Sequence, residues 1–393
     1  MRRVGLQYLL PAAIAVVVLF FSIKTINRYC FTLPELAATD PNLRYLDNFN
    51  NNPQYEPLFL AANDSSETIY LMGSSELTHT SSATPYNFIP DRFQTKVVAI
   101  GHAGNQCFSI YSQLLANQDK LENAPIVILL SPGWFHTHFS AGTASVSFLE
   151  YNTPTFLNQV LANAPDDEFR AYEAKRIADF YTEIVNPDLS LKLLNYEHQS
   201  SKSFIHKGCY YPLIALDEWL NEQKTEIVGK PQGRVHRRKA IVSEDVDIKW
   251  DSLFSASKEE QLKRSTSNEL WIEDAFFAET NGKLGELFPV SDANNTELED
   301  FRMLVKLLKA RKANVSFVIM PVNPGYYENS AELTPVIRQL EWELKINGLP
   351  WLNMWNDDPK TFDNGILSDV MHFSDYGWYR VNRFIVNTYH LAQ

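Results

Sequence analysis

The sequence predicts an α/β protein. A parallel sheet covered by helices carries a mostly helical insertion and is preceded by one transmembrane helix. Three observations predict this. Short apolar strands alternate with amphipathic helices at both ends of the chain, the pattern of a parallel, helix-covered sheet. Between those two parts, residues 153–278 contain no clean strand. Ahead of everything runs a continuous apolar stretch, Val4–Ile23.

Length and charge narrow the class further. The 393 residues suffice for one large α/β domain with insertions or for two domains. A net charge of -12 excludes general nucleic-acid binding, which needs a basic face. Any polyanionic substrate must then be met by a local basic patch. Cys30, Cys107 and Cys209 are far apart and form no Cys-x-x-Cys, so neither a zinc knuckle nor a disulfide framework is supported.

In chain order, Arg2 and Arg3 precede the apolar run. Its twenty residues would make a helix of about 30 Å, the thickness of a bilayer core. No small-residue cleavage site follows, so an uncleaved signal anchor is expected. Arg2 and Arg3 favour the amino end inside, although Lys24 and Arg28 oppose them. The large domain is therefore expected outside the cell membrane. Residues 24–66 read as a linker and irregular lead-in, rich in Asn, Asp and Pro.

Thr68–Met72 is a short strand of apolar and β-forming residues that stops abruptly at Gly73-Ser74-Ser75. Such a stop reads as a strand-to-helix elbow with a hydroxyl at the carboxyl end of a sheet. Ser75 is thus a candidate nucleophile, although Gly-Ser-Ser is also a common loop and Ser a common cap. Thr95–Ile100 is a second strand, leading into Gly101-His102-Ala103-Gly104-Asn105. Cys107, Ile110, Tyr111, Leu114 and Leu115 then mark an amphipathic helix whose first N–H groups should point at an anion. Pro125–Leu130 is a third strand, ending in Ser131-Pro132-Gly133-Trp134-Phe135. Residues 153–278 read as a helical insertion, a lid or substrate platform. Within it, Gly233–Lys239 is the one dense basic run, either a solvated loop or a phosphate-binding patch. The domain resumes with a helix over Glu297–Ala313, a strand at Val315–Met320, a helix over Glu332–Ile346, a strand within Leu349–Trp355 and a last helix from Asp375.

A serine nucleophile needs a base, and the base needs a group that fixes its tautomer. Asp369 and His372, three residues apart just before the last helix, supply both. Asp-x-x-His alone is weakly specific; its place after the last strand, with Ser75 after the first, is the stronger signal. His79, His102, His136 and His138 lack a carboxylate at fixed spacing, so no metal site is expected. No cofactor is expected either. Trp134, Phe135, Tyr326 and Tyr327 are candidates for an apolar groove, though aromatics at strand ends are usually core.

Gly73-Ser74-Ser75, Gly101-His102-Ala103-Gly104 and Asp369-x-x-His372 resemble, in order and context, blocks of the SGNH (GDSL) hydrolases. More narrowly, Gly73-Ser74-Ser75-Glu76-Leu77, Ser131-Pro132-Gly133-Trp134-Phe135, Met320-Pro321-Val322-Asn323-Pro324 and Ser368-Asp369-Val370-Met371-His372 resemble the DltD family. These are membrane-anchored proteins of Gram-positive bacteria needed for D-alanylation of lipoteichoic acid. The resemblance spans the anchor and nearly all of the domain, except the middle region. It implies a flavodoxin-like three-layer fold, with Ser75 as nucleophile, His372 as base and Asp369 as orienter. It also implies an oxyanion hole from the N–H groups of Ser75 and Gly104. Ser74 stands where the usual Asp would be, and Gly133 where a side-chain donor is common. Asn105, Asn323 or a backbone amide are the substitutes for that donor. Glu76 is expected to cap the following turn or, with Ser74, Asn105, Trp134 and Asn323, to meet substrate.

The function so implied is D-alanyl transfer to lipoteichoic acid outside the membrane. Its implied partners are the membrane-bound O-acyltransferase DltB and the D-alanyl carrier protein DltC, and Arg234–Lys239 would hold the polymer. Two rivals are an esterase or thioesterase of the same fold and a non-catalytic scaffold. Gly133 is the best support for the scaffold.

Overall fold

Seven strands form one sheet: β1 (Leu43–Leu46), β2 (Thr68–Met72), β3 (Lys96–Ile100), β4 (Pro125–Leu130), β5 (Val235–Arg237), β6 (Asn314–Ile319) and β7 (Trp351–Asn353). Their order is β5-β1-β3-β2-β4-β6-β7. All neighbours pair in parallel except β5, which lies antiparallel on β1 at one edge. The computed structural model describes residues 42–52, 55–56, 59–60, 68–136, 139, 141–164, 168–199, 216–217, 219, 234–241, 248–287 and 294–391, together with positions 11, 14 and 18.

Helices cover both faces of the sheet. Tyr70, Met72, Val98, Ile100, Ile126, Ile128 and Phe317 point into one core. The helices Cys107–Ala116, Pro154–Asn163, Glu168–Phe180, Thr296–Ala310 and Thr334–Ile346 bury their apolar sides there. The alternate residues Ile69, Leu71, Val97, Ala99, Val127, Leu129 and Val318 point into the other core. There the helices Pro85–Phe93 and Asp375–Thr388 pack through Tyr86, Ile89, Trp378 and Ile385. Strands buried on both sides read as unbroken apolar runs, which is why the central ones were legible.

Two strands depart from the sequence reading. β1 lies in the stretch read as irregular lead-in, and its four residues are too few to show a period. β5 lies in the basic run of the helical stretch. There the Arg234 N–H donates to Asp47 Oδ2 at 3.0 Å and the Arg238 guanidinium pairs with Asp91 at 2.6 Å. Part of that run therefore fastens the sheet edge. The described helices of residues 153–278 complete the layers: Phe156, Phe169 and Ile177 enter one core, and Trp250 and Leu253 lean on the other. They do not stand apart as a lid. The run Val4–Ile23, three isolated positions aside, lies outside the described residues, as do Cys30 and Cys209. Among the described residues no helix is long and apolar enough to cross a membrane.

The chain passes from β2 to β3 on one side, then crosses back to β4 on the other. The carboxyl end of β2 is therefore a topological switch point, where open α/β sheets place their crevice.

Candidate active site

Ser75 stands at that point. β2 ends at the fully buried Met72, Ser74 leaves extended geometry (φ -121, ψ -133), and Ser75 opens a single 3-10 turn, Ser75–Thr78. The elbow is fixed from several sides. Glu76 Oε1 accepts the Ser74 N–H at 2.6 Å, Asn105 Nδ2 donates to Gly73 O at 3.0 Å, and the Ser74 hydroxyl donates to His102 O at 3.2 Å. Gly101 holds φ +141, and a Cβ there would lie 1.9 Å from Gly73 O. Only glycine lets the loop after β3 come this close to the elbow.

The base arrives on a closed loop. Leu367 and Phe373 bridge in antiparallel fashion, and the Ser368 N–H donates to His372 O at 2.9 Å. Asp369 Oδ1 accepts the N–H groups of Met371 and His372 at 2.8 and 2.7 Å, so one carboxylate oxygen shapes the turn. Oδ2, the other oxygen, meets His372 Nδ1 at 2.7 Å, and His372 Nε2 meets Ser75 Oγ at 2.9 Å. The three residues chosen from the sequence are thus in one hydrogen-bonded line. Burial pushes the Asp369 carboxyl up, but the hydrogen bond and charge of His372 and the loop amides outweigh it and hold it below the ordinary carboxylate range.

Ser75 and Gly104 both line one pocket. Among the described residues, neither the Ser75 nor the Gly104 N–H has an acceptor. Gly104 holds φ +91, and a Cβ there would strike Ser147 Oγ at 2.3 Å. The helix start expected to bind an anion is already occupied: the Cys107 N–H donates to Glu297 Oε1 at 2.9 Å and the Ser109 N–H to Thr143 Oγ1 at 3.2 Å. The Asn substitutes for a side-chain donor are likewise committed. Asn105 is fully buried between Gly73 O and Gln113 Nε2. Asn323 donates to Leu270 O and accepts from the N–H groups of Gly325 and Tyr326, so it builds a turn. Glu76 is also turned inward, 2% exposed, and serves the elbow in place of substrate. A Cβ at Gly133 would touch only Ser131 Oγ, at 3.5 Å, so that position is open.

A pocket of about 330 Å³ opens beside Ser75. Trp134, Phe139, Leu287, Val322, Tyr327 and Met371 give it apolar walls, and Ser74, Gly104, Gln106, Ser131 and Gly133 also line it. Of the aromatic groove read from the sequence, Trp134 and Tyr327 are present, whereas Phe135 is core. His136 also lines the pocket, packed edge-on to Phe139 at 5.3 Å between ring centroids. His102 faces Glu150 at 3.1 Å, and His138 lies outside the described residues. Glu286, Leu287 and Phe139 were not singled out in the sequence. They sit in irregular segments, and only the fold carries them to the pocket.

A serine bonded to an oriented imidazole, next to two free amides and an apolar pocket, is equipped to attack a carbonyl and stabilise the resulting oxyanion. The sequence model of the DltD protein family matches residues 51–390. The chain is also similar to Protein DltD of Staphylococcus aureus (strain NCTC 8325 / PS 47), 22% identical over 328 residues, covering 78% of this chain and 77% of the relative. Protein DltD of Bacillus subtilis (strain 168) is 22% identical over 374 residues, 89% of this chain and 90% of the relative.

Proposed function

The chain belongs to the DltD family, and from that premise we propose that it transfers D-alanyl groups to lipoteichoic acid at the outer face of the membrane through Ser75, His372 and Asp369. The observation that supports this reading most is the Ser75–His372–Asp369 line, 2.9 and 2.7 Å, with Ser75 lining the pocket. In this mechanism His372 Nε2 takes the Ser75 proton as Oγ adds to the carbonyl carbon of the D-alanyl donor. The oxyanion is held by the N–H groups of Ser75 and Gly104. His372 then protonates the departing group, leaving D-alanyl on Ser75. A polymer hydroxyl gives its proton to His372 and attacks the same carbon, and His372 returns that proton to Ser75 Oγ as the bond between Ser75 and the acyl carbon breaks. The membrane-bound O-acyltransferase DltB and the carrier DltC belong upstream, as sources of activated D-alanine. The same steps with water as acceptor describe an esterase, which the half-exposed Ser75 favours whenever no hydroxyl is prepositioned.

His372 must be neutral to act. Burial lowers its pKa, but the hydrogen bond and charge of Asp369, with the charge of Glu76, more than reverse this and hold it above the ordinary 6.5. Activity is therefore expected to rise with pH along a limb centred above 6.5, read from log kcat/KM against pH. A limb centred below that value would remove His372 from the base role.

The direct test is the alanine-ester content of lipoteichoic acid in cells carrying only Ser75→Ala, with expression and localisation matched. Loss of the esters is expected. Unchanged esters would exclude Ser75 as nucleophile and leave a recruiting role.

A further inference from the structure

Among the described residues, Glu286 is the only acidic one lining the pocket beside Ser75, and neither lysine nor arginine lines it. The backbone on both sides of it is fixed. The Gly285 N–H donates to Tyr326 O at 3.0 Å, and Gly285 bridges Tyr327 in parallel. On the other side, the Leu287 N–H donates to Asn329 Oδ1 at 2.7 Å, and Asn329 Nδ2 returns a bond to Leu287 O. A Cβ at Gly285 would lie 2.6 Å from both tyrosine rings, so the segment is pressed against the pocket wall. Among the described residues, the Glu286 carboxylate itself has no hydrogen-bond or ion-pair partner. Glu286 is solvent-exposed where it lines the pocket; a carboxylate delivered there by a fixed backbone, with no protein cation beside it, is a site for a cation.

An aminoacyl group carries such a cation two bonds from its carbonyl carbon. When the carbonyl is at Ser75, the ammonium must lie in the same pocket. We infer that Glu286 is the counter-ion for the ammonium of the aminoacyl donor, and that it selects charged aminoacyl groups over uncharged acyl groups. The inference rests on the acyl-transfer reading above. Because Glu286 is exposed, the attraction is that of a surface ion pair, up to about fivefold in affinity.

The test compares the full chain with Glu286→Gln, which keeps the shape and removes the charge. Two thioester donors share one pantetheine leaving group; one carries D-alanyl, the other propionyl. With D-alanyl, kcat/KM is expected to fall about threefold to fivefold, mostly in KM, because the contact is made before the chemical step. With propionyl it should be unchanged. An equal fall with both donors, or no fall with D-alanyl, overturns the role of Glu286. If the unaltered chain turns over neither donor, the triad reading fails. Glu286 is then judged by ligand-observed NMR with D-alanine methyl ester and methyl propionate. The unaltered chain should prefer the ammonium ligand and Glu286→Gln should lose that preference; equal binding of both by the unaltered chain overturns the proposal.

Discussion

Asp369→Asn is expected to lower acyl transfer by about 10⁴-fold while leaving stability and donor KM close to wild type. The two oxygens of Asp369 do different things. Oδ1 accepts the N–H groups of Met371 and His372, and an asparagine carbonyl oxygen can take over that task. The asparagine amide then occupies the place of Oδ2 and donates to His372 Nδ1. A ring nitrogen that accepts a hydrogen bond carries no proton, so the proton moves to Nε2, the atom that faces Ser75 Oγ. The loop survives and the base is disabled. Asp369→Ala should instead loosen the loop as well. Donor turnover together with circular dichroism distinguishes the two variants. A loss of less than tenfold in Asp369→Asn would mean that His372 is not the base.

The second large effect concerns folding. Arg176→Ala is expected to cost about 3–5 kcal/mol, because it leaves a carboxylate buried without its partner. Arg176 Nε and Nη2 grip Asp300 at 2.8 and 3.2 Å, and the two side chains are 4% and 0% exposed. Tyr172 Oη donates to the same carboxylate at 2.7 Å. The pair joins the helix Glu168–Phe180 to the helix Thr296–Ala310, with the guanidinium 5.0 Å from the Phe108 ring centroid. Nearby, burial pushes the Glu173 and Glu297 carboxyls up from the ordinary carboxylate range, which weakens their competition for the guanidinium. Urea unfolding should show a lower midpoint at unchanged slope. Replacing both partners, Arg176→Met with Asp300→Leu, should recover most of the loss. A single-variant cost under about 1 kcal/mol, the range of an exposed pair, would show that the pair contributes little.

The Ser75–His372–Asp369 arrangement was more legible in the sequence than the cavity. Ser75, Asp369 and His372 lie next to strand ends and helix starts, where short-range signals are strong, and the parallel sheet placed the two ends of the chain together. The central strands were readable because both of their faces are buried. β1 and β5 were not: strands of four and three residues carry no period, and their pairing spans nearly the whole amino half of the domain. Asn105 and Asn323 drew attention as polar residues in the right loops. What their amides bond is settled by tertiary contacts that no local pattern encodes. Glu286 was invisible for the same reason.

The absence of any lysine or arginine among the described residues of the pocket lining bears on how a polymer reaches it. The chain carries -12 overall, so its long-range field repels a polyphosphate instead of drawing it in. Encounter by free diffusion is then slow, and on the proposed function confinement to one membrane surface would compensate. A protein and a polymer held on one surface meet at an effective concentration set by their tethers, with no attraction needed at the catalytic pocket. On the proposed outer-face location, recognition of the backbone charge and chemistry on the acyl group would be separated in space, and acceptor specificity would depend on which polymers share the surface.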